Sequence, residues 1–126
     1  MKKNNNFWKK KLDKFSYNIL REAGTEMPFS GRYNMFFEEG KYKCKGCGNK
    51  LFDSKSKFDS GCGWPSFDKC INGSIVYKQD KSLNRIRTEI LCSKCDGHIG
   101  HVFDDGPTET GNRYCVNSAS LNFNKK

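Results

Sequence analysis

Short runs of alternating polar and apolar residues, each closed by a turn residue, dominate this chain. Read at a period of two, six segments emerge as strand candidates: residues 41–44, 50–52, 74–78, 85–92, 98–103 and 112–123. In 85–92, Ile86, Thr88, Ile90 and Cys92 fall on one face and Arg85, Arg87 and Glu89 on the other, as in a half-buried antiparallel strand. Only near the start does the period lengthen. Leu12, Phe15, Ile19 and Leu20 recur at helical spacing within residues 9–23, and Gly24 stands where a helix would stop. This predicts one short amphipathic helix. Residues 1–8 before it read as a disordered basic tail, and Pro28 and Gly31 mark an ordered loop after it. The pattern shows no linker and no repeat beyond a pair of cysteine knuckles, so residues 9–126 are expected to form a single domain, mainly β.

Composition agrees. A chain of 126 residues favours one domain, and twelve glycines suit a turn-rich β protein better than a helical bundle. The formal charge of +9 raises the question of nucleic acid. The excess, however, lies in the two tails and in scattered loops. Lys2, Lys3, Lys9, Lys10, Lys11 and Lys14 open the chain, and Lys125 and Lys126 close it. No basic stripe alternates with aromatics, so these read as solvated lysines and no nucleic-acid partner is expected. The charged N-terminus does not resemble a signal peptide, and no run approaches the ~20 apolar residues of a membrane span. The expectation is a cytoplasmic monomer without a membrane partner, in which cysteines serve metals or catalysis rather than structural disulfides.

Seven cysteines then divide unequally. Cys44 and Cys47 form one C-x2-C knuckle, and Cys92 and Cys95 another, with Gly46 and Gly48 easing the first turn. Four thiolates in two such pairs are the ligand set of a closed structural zinc site. The long gap between knuckles means that the metal ties together distant parts of the chain. His98 and His101 follow the second knuckle too closely for a C2H2 finger, and that assignment would strand Cys44 and Cys47. An iron–sulfur cluster fits the cysteine count, but nothing else in the chain suggests electron transfer.

Subtracting the knuckles leaves Cys62, Cys70 and Cys115. On a strand, Arg113, Cys115 and Asn117 share a face, which sets a guanidinium and a carboxamide on either side of one thiol. A neighbouring cation favours the reactive thiolate. Cys62 sits between Gly61 and Gly63, on thin backbone that can bring it near another sulfur, and Trp64 offers an aromatic face for a methyl group. His98 and His101 are the chain's two histidines. Either can donate a proton near neutral pH, with Asp105 to orient it.

The segments Gly61-Cys62-Gly63-Trp64-Pro65-Ser66-Phe67, His98-Ile99-Gly100-His101-Val102-Phe103, Asp105-Gly106-Pro107 and Arg113-Tyr114-Cys115-Val116-Asn117-Ser118-Ala119-Ser120-Leu121 resemble the signature blocks of the B-type methionine sulfoxide reductases. The likeness covers roughly residues 20–123, including the loop 22–31. It implies two small antiparallel sheets packed as a sandwich or tent, with the zinc opposite the active site. It further implies thiol-dependent reduction of the R epimer of peptide-bound methionine sulfoxide, with oxidised proteins as substrates and thioredoxin as reductant. By position, Cys115 matches the catalytic cysteine and Cys62 the resolving one, so a sulfenic acid on Cys115 would close to a Cys62–Cys115 disulfide. Trp64, His98, His101, Asp105, Arg113 and Asn117 match pocket residues, and Phe103 is expected to wall the pocket. Cys70 lies outside the motifs as a spare thiol.

Overall fold

The computed structural model describes residues 5–81 and 86–125. Two antiparallel sheets carry the fold. The smaller joins β1 (Gly40–Cys44), β2 (Lys50–Asp53) and β9 (Leu121–Lys125) in the order β2-β1-β9. The larger joins β3 (Lys57–Phe58), β4 (Ser66–Phe67), β5 (Ile75–Asp80), β6 (Arg87–Cys92), β7 (His98–Phe103) and β8 (Arg113–Val116) in the order β3-β4-β8-β7-β6-β5. This is the mainly β, two-sheet architecture expected.

Aromatic side chains weld the sheets. Tyr42 of β1, Phe52 of β2 and Phe67 of β4 are fully buried. The Phe52 and Phe67 rings stack with centroids 4.3 Å apart, and Tyr42 meets Phe67 edge-on at 5.0 Å. Leu51, Ile90, Ile99 and Val116 complete the core. Burying each such side chain stabilises the fold by roughly 1.5–3 kcal/mol.

The differences from expectation have local causes. The final predicted strand, 112–123, is two. β8 ends at Val116, a 3-10 turn over Ser118–Ser120 reverses the chain, and β9 crosses to the other sheet. β3 and β4 have two residues each, too few to show periodicity. The observed β6 begins at Arg87; Arg85 of the predicted segment lies outside the described residues.

The expected single helix is a pair: α1 (Asn5–Lys11) and α2 (Lys14–Arg21). Asp13 breaks it by capping α2, its carboxylate accepting from the Ser16 N–H at 3.1 Å. The break buries Leu12, Ile19 and Leu20 but leaves Phe15 54% exposed, off the predicted apolar face. The expected disordered tail over residues 1–8 is helix from Asn5, and Trp8 is only 2% exposed; residues 1–4 lie outside the described residues. A tryptophan among lysines reads as tail in sequence. In space the Arg21 guanidinium lies 5.1 Å from the Trp8 ring centroid and donates to the Cys95 carbonyl at 2.7 Å. The helical segment therefore buttresses the second cysteine knuckle.

Candidate active site and metal centre

β1 ends at Cys44 and β6 at Cys92, so each knuckle is the turn that terminates one strand. One belongs to the small sheet and one to the large. Their four sulfurs all lie within 4.8 Å of one another. The Cys44–Cys95 separation is 3.7 Å and the Cys47–Cys92 separation 3.5 Å. A tetrahedral ion with ~2.3 Å metal–sulfur bonds needs sulfurs about 3.8 Å apart, so the residues fit the group. Asn49 Nδ2 donates to Cys92 Sγ at 3.6 Å, and Gly48 makes its turn at φ +80°. Cys44, Cys92 and Cys95 are buried and Cys47 half-buried, as in a closed site.

The second constellation lies along β8. Its alternation is as expected: Tyr114 and Val116 enter the core, while Arg113, Cys115 and Asn117 line a cleft of about 280 Å³ with Thr25, Cys62, Trp64, Arg87, Gly100, His101 and Phe103. Cys62 Sγ stands 3.6 Å from Cys115 Sγ. The ladders explain the assembly. Cys115 faces Ser66 of β4 on one side and His101 of β7 on the other. Gly100 permits the close β7–β8 approach. A Cβ there would sit 2.1 Å from the Cys115 carbonyl oxygen and 2.8 Å from the Val116 Cα. Both contacts are backbone, so Gly100→Ala is expected to cost at least about 2 kcal/mol, read as a lowered melting temperature.

The loop 22–31 closes the cleft. Asn117 Oδ1 accepts from the Glu26 N–H at 3.0 Å, and the Trp64 indole donates to the Glu26 carbonyl at 3.1 Å. The Glu26 carboxylate, buried, accepts from the Ala119 N–H at 3.0 Å. The Asn117 side-chain oxygen thus holds this loop, while its Nδ2 donates to the Ile99 carbonyl of β7 at 3.4 Å. Gly63 turns at φ +96°, where a Cβ would meet Pro28 at 2.7 Å.

Charge is arranged differently from the sequence reading. Asp105 does not orient a histidine. Its carboxylate takes a two-pronged pair from Arg113, Nε at 2.8 Å and Nη2 at 3.1 Å, while the guanidinium lies 4.5 Å from the Phe103 ring centroid. The histidine partners are Glu89, 2.6 Å from His98 Nδ1, and Asp80, 2.8 Å from His101 Nε2 and bridged to Arg87 at 3.1 Å. Strand alternation held this signal: Arg87 and Glu89 share the face of β6 turned toward the histidines, and Glu89 lies directly across from His101. His101 lines the cleft, whereas His98 is buried beneath it. Burial lowers the His98 pKa against the pull of Glu89, and its Nε2 finds no hydrogen-bond partner among the described residues.

The two thiols are also shifted in opposite directions. The Cys62 sulfur and burial push the Cys115 thiol up, and Arg113 offsets only part of that. Cys62 is held down to about 4 by its hydrogen bond with Cys115, against burial and with help from Ser60 and Ser66. The two sulfurs share one hydrogen bond, and Arg113 draws the Cys115 thiol down against that contact and against burial. Cys70 lies elsewhere, 4.0 Å from the Tyr114 hydroxyl on the opposite face of β8.

The SelR domain matches residues 12–125. Relatives called peptide methionine sulfoxide reductase MsrB align along nearly the whole chain. The protein from Bradyrhizobium diazoefficiens is 52% identical over 120 residues, covering 94% of this chain and 86% of its own. That of Pseudomonas savastanoi pv. phaseolicola is 55% identical, covering 92% and 89%. That of Leptospira interrogans is 54% identical, covering 94% and 92%. The crystal structure of a Mis18 "Yippee-like" domain shares the fold alone, with a TM-score of 0.57 at 17% identity over 71% of this chain and 98% of that one.

Proposed function

Since this chain belongs to the SelR family of methionine sulfoxide reductases, we propose that it reduces the R epimer of peptide-bound methionine sulfoxide through Cys115, with Cys62 as the resolving thiol. The observation that carries this reading is the 3.6 Å approach of two non-knuckle sulfurs inside a cleft that also holds an indole, an imidazole and a guanidinium.

A sulfoxide sulfur is a poor electrophile until its oxygen is protonated. His101 lines the cleft directly across the ladder from Cys115, so it delivers the proton and buried His98 supports the network behind it. Trp64 receives the methyl group, and Phe103 walls the cleft beneath Arg113. The Cys115 sulfur attacks the sulfoxide sulfur. Arg113, steered by Asp105, offsets the cost of the Cys115 thiolate as it forms. Methionine departs and its former oxygen remains on Cys115 as a sulfenic acid. Cys62 then displaces that oxygen as water, closing the Cys62–Cys115 disulfide, which an external dithiol of the thioredoxin type reopens. Asn117 shapes the cleft by holding the loop that fixes Trp64.

The four-cysteine centre would hold one zinc ion through Cys44, Cys47, Cys92 and Cys95. The ion would supply structural cross-linking between the sheets. Among the described residues no helix is long and apolar enough to cross a membrane. The reading takes the protein to be a cytoplasmic monomer that repairs oxidised proteins.

Cys62→Ser tests the division of labour. The variant is expected to release one methionine per enzyme from the R sulfoxide but to lose turnover driven by thioredoxin. Sustained thioredoxin cycling in this variant would remove Cys62 from its role.

A further inference from the structure

Cys62 is cradled by two hydroxyls that the reaction as described does not use. Ser60 Oγ lies 3.0 Å from Cys62 Sγ, and Ser66 Oγ lies 3.5 Å from it. The hydroxyls are joined to each other at 2.7 Å. Ser66 is buried on β4, directly across the ladder from Cys115, and its oxygen is also 3.1 Å from the Trp64 carbonyl. Ser60 stands at the exposed start of the loop, where its oxygen also receives the Cys62 N–H at 3.3 Å.

The proton inventory distinguishes two states. With Cys62 as a thiol, its S–H points to the Trp64 carbonyl 3.5 Å away. With Cys62 as a thiolate, that proton is gone and both serine protons become useful. Ser66 turns its one proton from the Trp64 carbonyl to Ser60, which in turn donates to the sulfur, and each hydrogen bond polarises the next. The arrangement favours the anion because a hydroxyl donor to a charged acceptor is worth more than one to a neutral acceptor.

From this geometry we propose that Ser60 is a catalytic residue of the resolving step and Ser66 its positioning residue: their linked hydroxyls hold Cys62 as the thiolate that attacks oxidised Cys115. The inference rests on the reading of Cys62 as the resolving thiol. In the step, a lone pair on the Cys62 sulfur forms the S–S bond as the Cys115 S–O bond breaks. The Cys62 sulfur is oxidised, the sulfenic sulfur is reduced, and hydroxide leaves to take up a proton as water. Other charged and titratable groups also face Cys62. Cys115 and Arg113 come from β8, His101 from β7, Arg87 from β6, and Asp59, which accepts from the Gly61 N–H at 3.0 Å, from the loop itself. The test must therefore isolate the hydroxyls.

Alkylation of Cys62, followed by mass spectrometry of its peptide across pH, does so in a Cys115→Ser background, which removes the coupled titration of the sulfur pair. Adding Ser60→Ala and Ser66→Ala is expected to move the Cys62 profile to higher pH by about one unit or more, the difference expected from lost hydrogen bonds to an anion. With Cys115 restored, disulfide closure after sulfoxide reduction should slow about tenfold when measured below the pH at which Cys62 ionises in the parent protein. Ser60→Thr, which keeps the hydroxyl at the exposed position, should restore both readouts. An unmoved alkylation profile in the double alanine variant would overturn the inference. Wild-type enzyme that consumes sulfoxide without forming the Cys62–Cys115 disulfide would instead fail the reading on which it rests.

Discussion

Replacing Cys115 by serine is expected to lower reduction of a peptide methionine-(R)-sulfoxide by roughly four orders of magnitude or more, with dithiothreitol supplied in excess. The magnitude follows from the kind of step involved. In the proposed reaction the sulfur of Cys115 is the atom that bonds to the substrate, and a hydroxyl in its place is a far weaker nucleophile. The roles proposed for His101 as proton donor and Trp64 as methyl site would remain, but they would assist an attack that no longer occurs. External dithiol cannot compensate, because it replaces Cys62 in the second half of the cycle rather than Cys115 in the first. The assay is release of methionine from the peptide. A Cys115→Ser enzyme that kept even a tenth of wild-type turnover would require a different nucleophile.

The second large effect concerns stability. Withdrawal of zinc by a strong chelator, or Cys95→Ala, is expected to unfold the chain cooperatively. Structural zinc sites contribute about 10–16 kcal/mol of binding free energy, comparable with or above the ~5–15 kcal/mol net stability of a whole domain. The site joins the end of β1 in one sheet to the end of β6 in the other, and three of its four sulfurs are buried. Without an ion, buried thiolates would repel one another. With zinc removed, loss of the β signal in circular dichroism and loss of activity should coincide. A zinc-free chain that kept its melting temperature would refute the structural role.

Much of this was legible in the sequence because cysteine spacing is a strong constraint. The two C-x2-C pairs separated cleanly from Cys62 and Cys115, and the alternation across Arg113–Val116 put Cys115 on the face it shares with Arg113. What the sequence left dark was pairing between strands. Nothing local in Asp105 distinguishes a partner for histidine from a partner for Arg113. That choice depends on where the 98–103 and 113–116 strands end relative to one another. Asp80 and Glu89 met their histidines only once the order β8-β7-β6-β5 was known. The setting of Cys115 was dark for a similar reason. A cation two residues away is visible in sequence, but burial and a second sulfur at 3.6 Å are not. Trp8 shows the limit of composition. A lysine-rich start resembles a tail until the cation–π contact with Arg21 and the nearby knuckle are seen.

The central claim is that Cys115 takes oxygen from the sulfoxide and Cys62 resolves it. Reduced enzyme, mixed without any other reductant with one equivalent of a peptide bearing either the R or the S epimer, tests this most directly, with methionine and disulfides both read by mass spectrometry. Nearly one methionine per enzyme is expected from the R epimer, with a Cys62–Cys115 disulfide in equal amount and no reaction with the S epimer. Methionine formed while Cys115 stays a free thiol, or a disulfide that joins Cys115 to Cys70 instead, would contradict it.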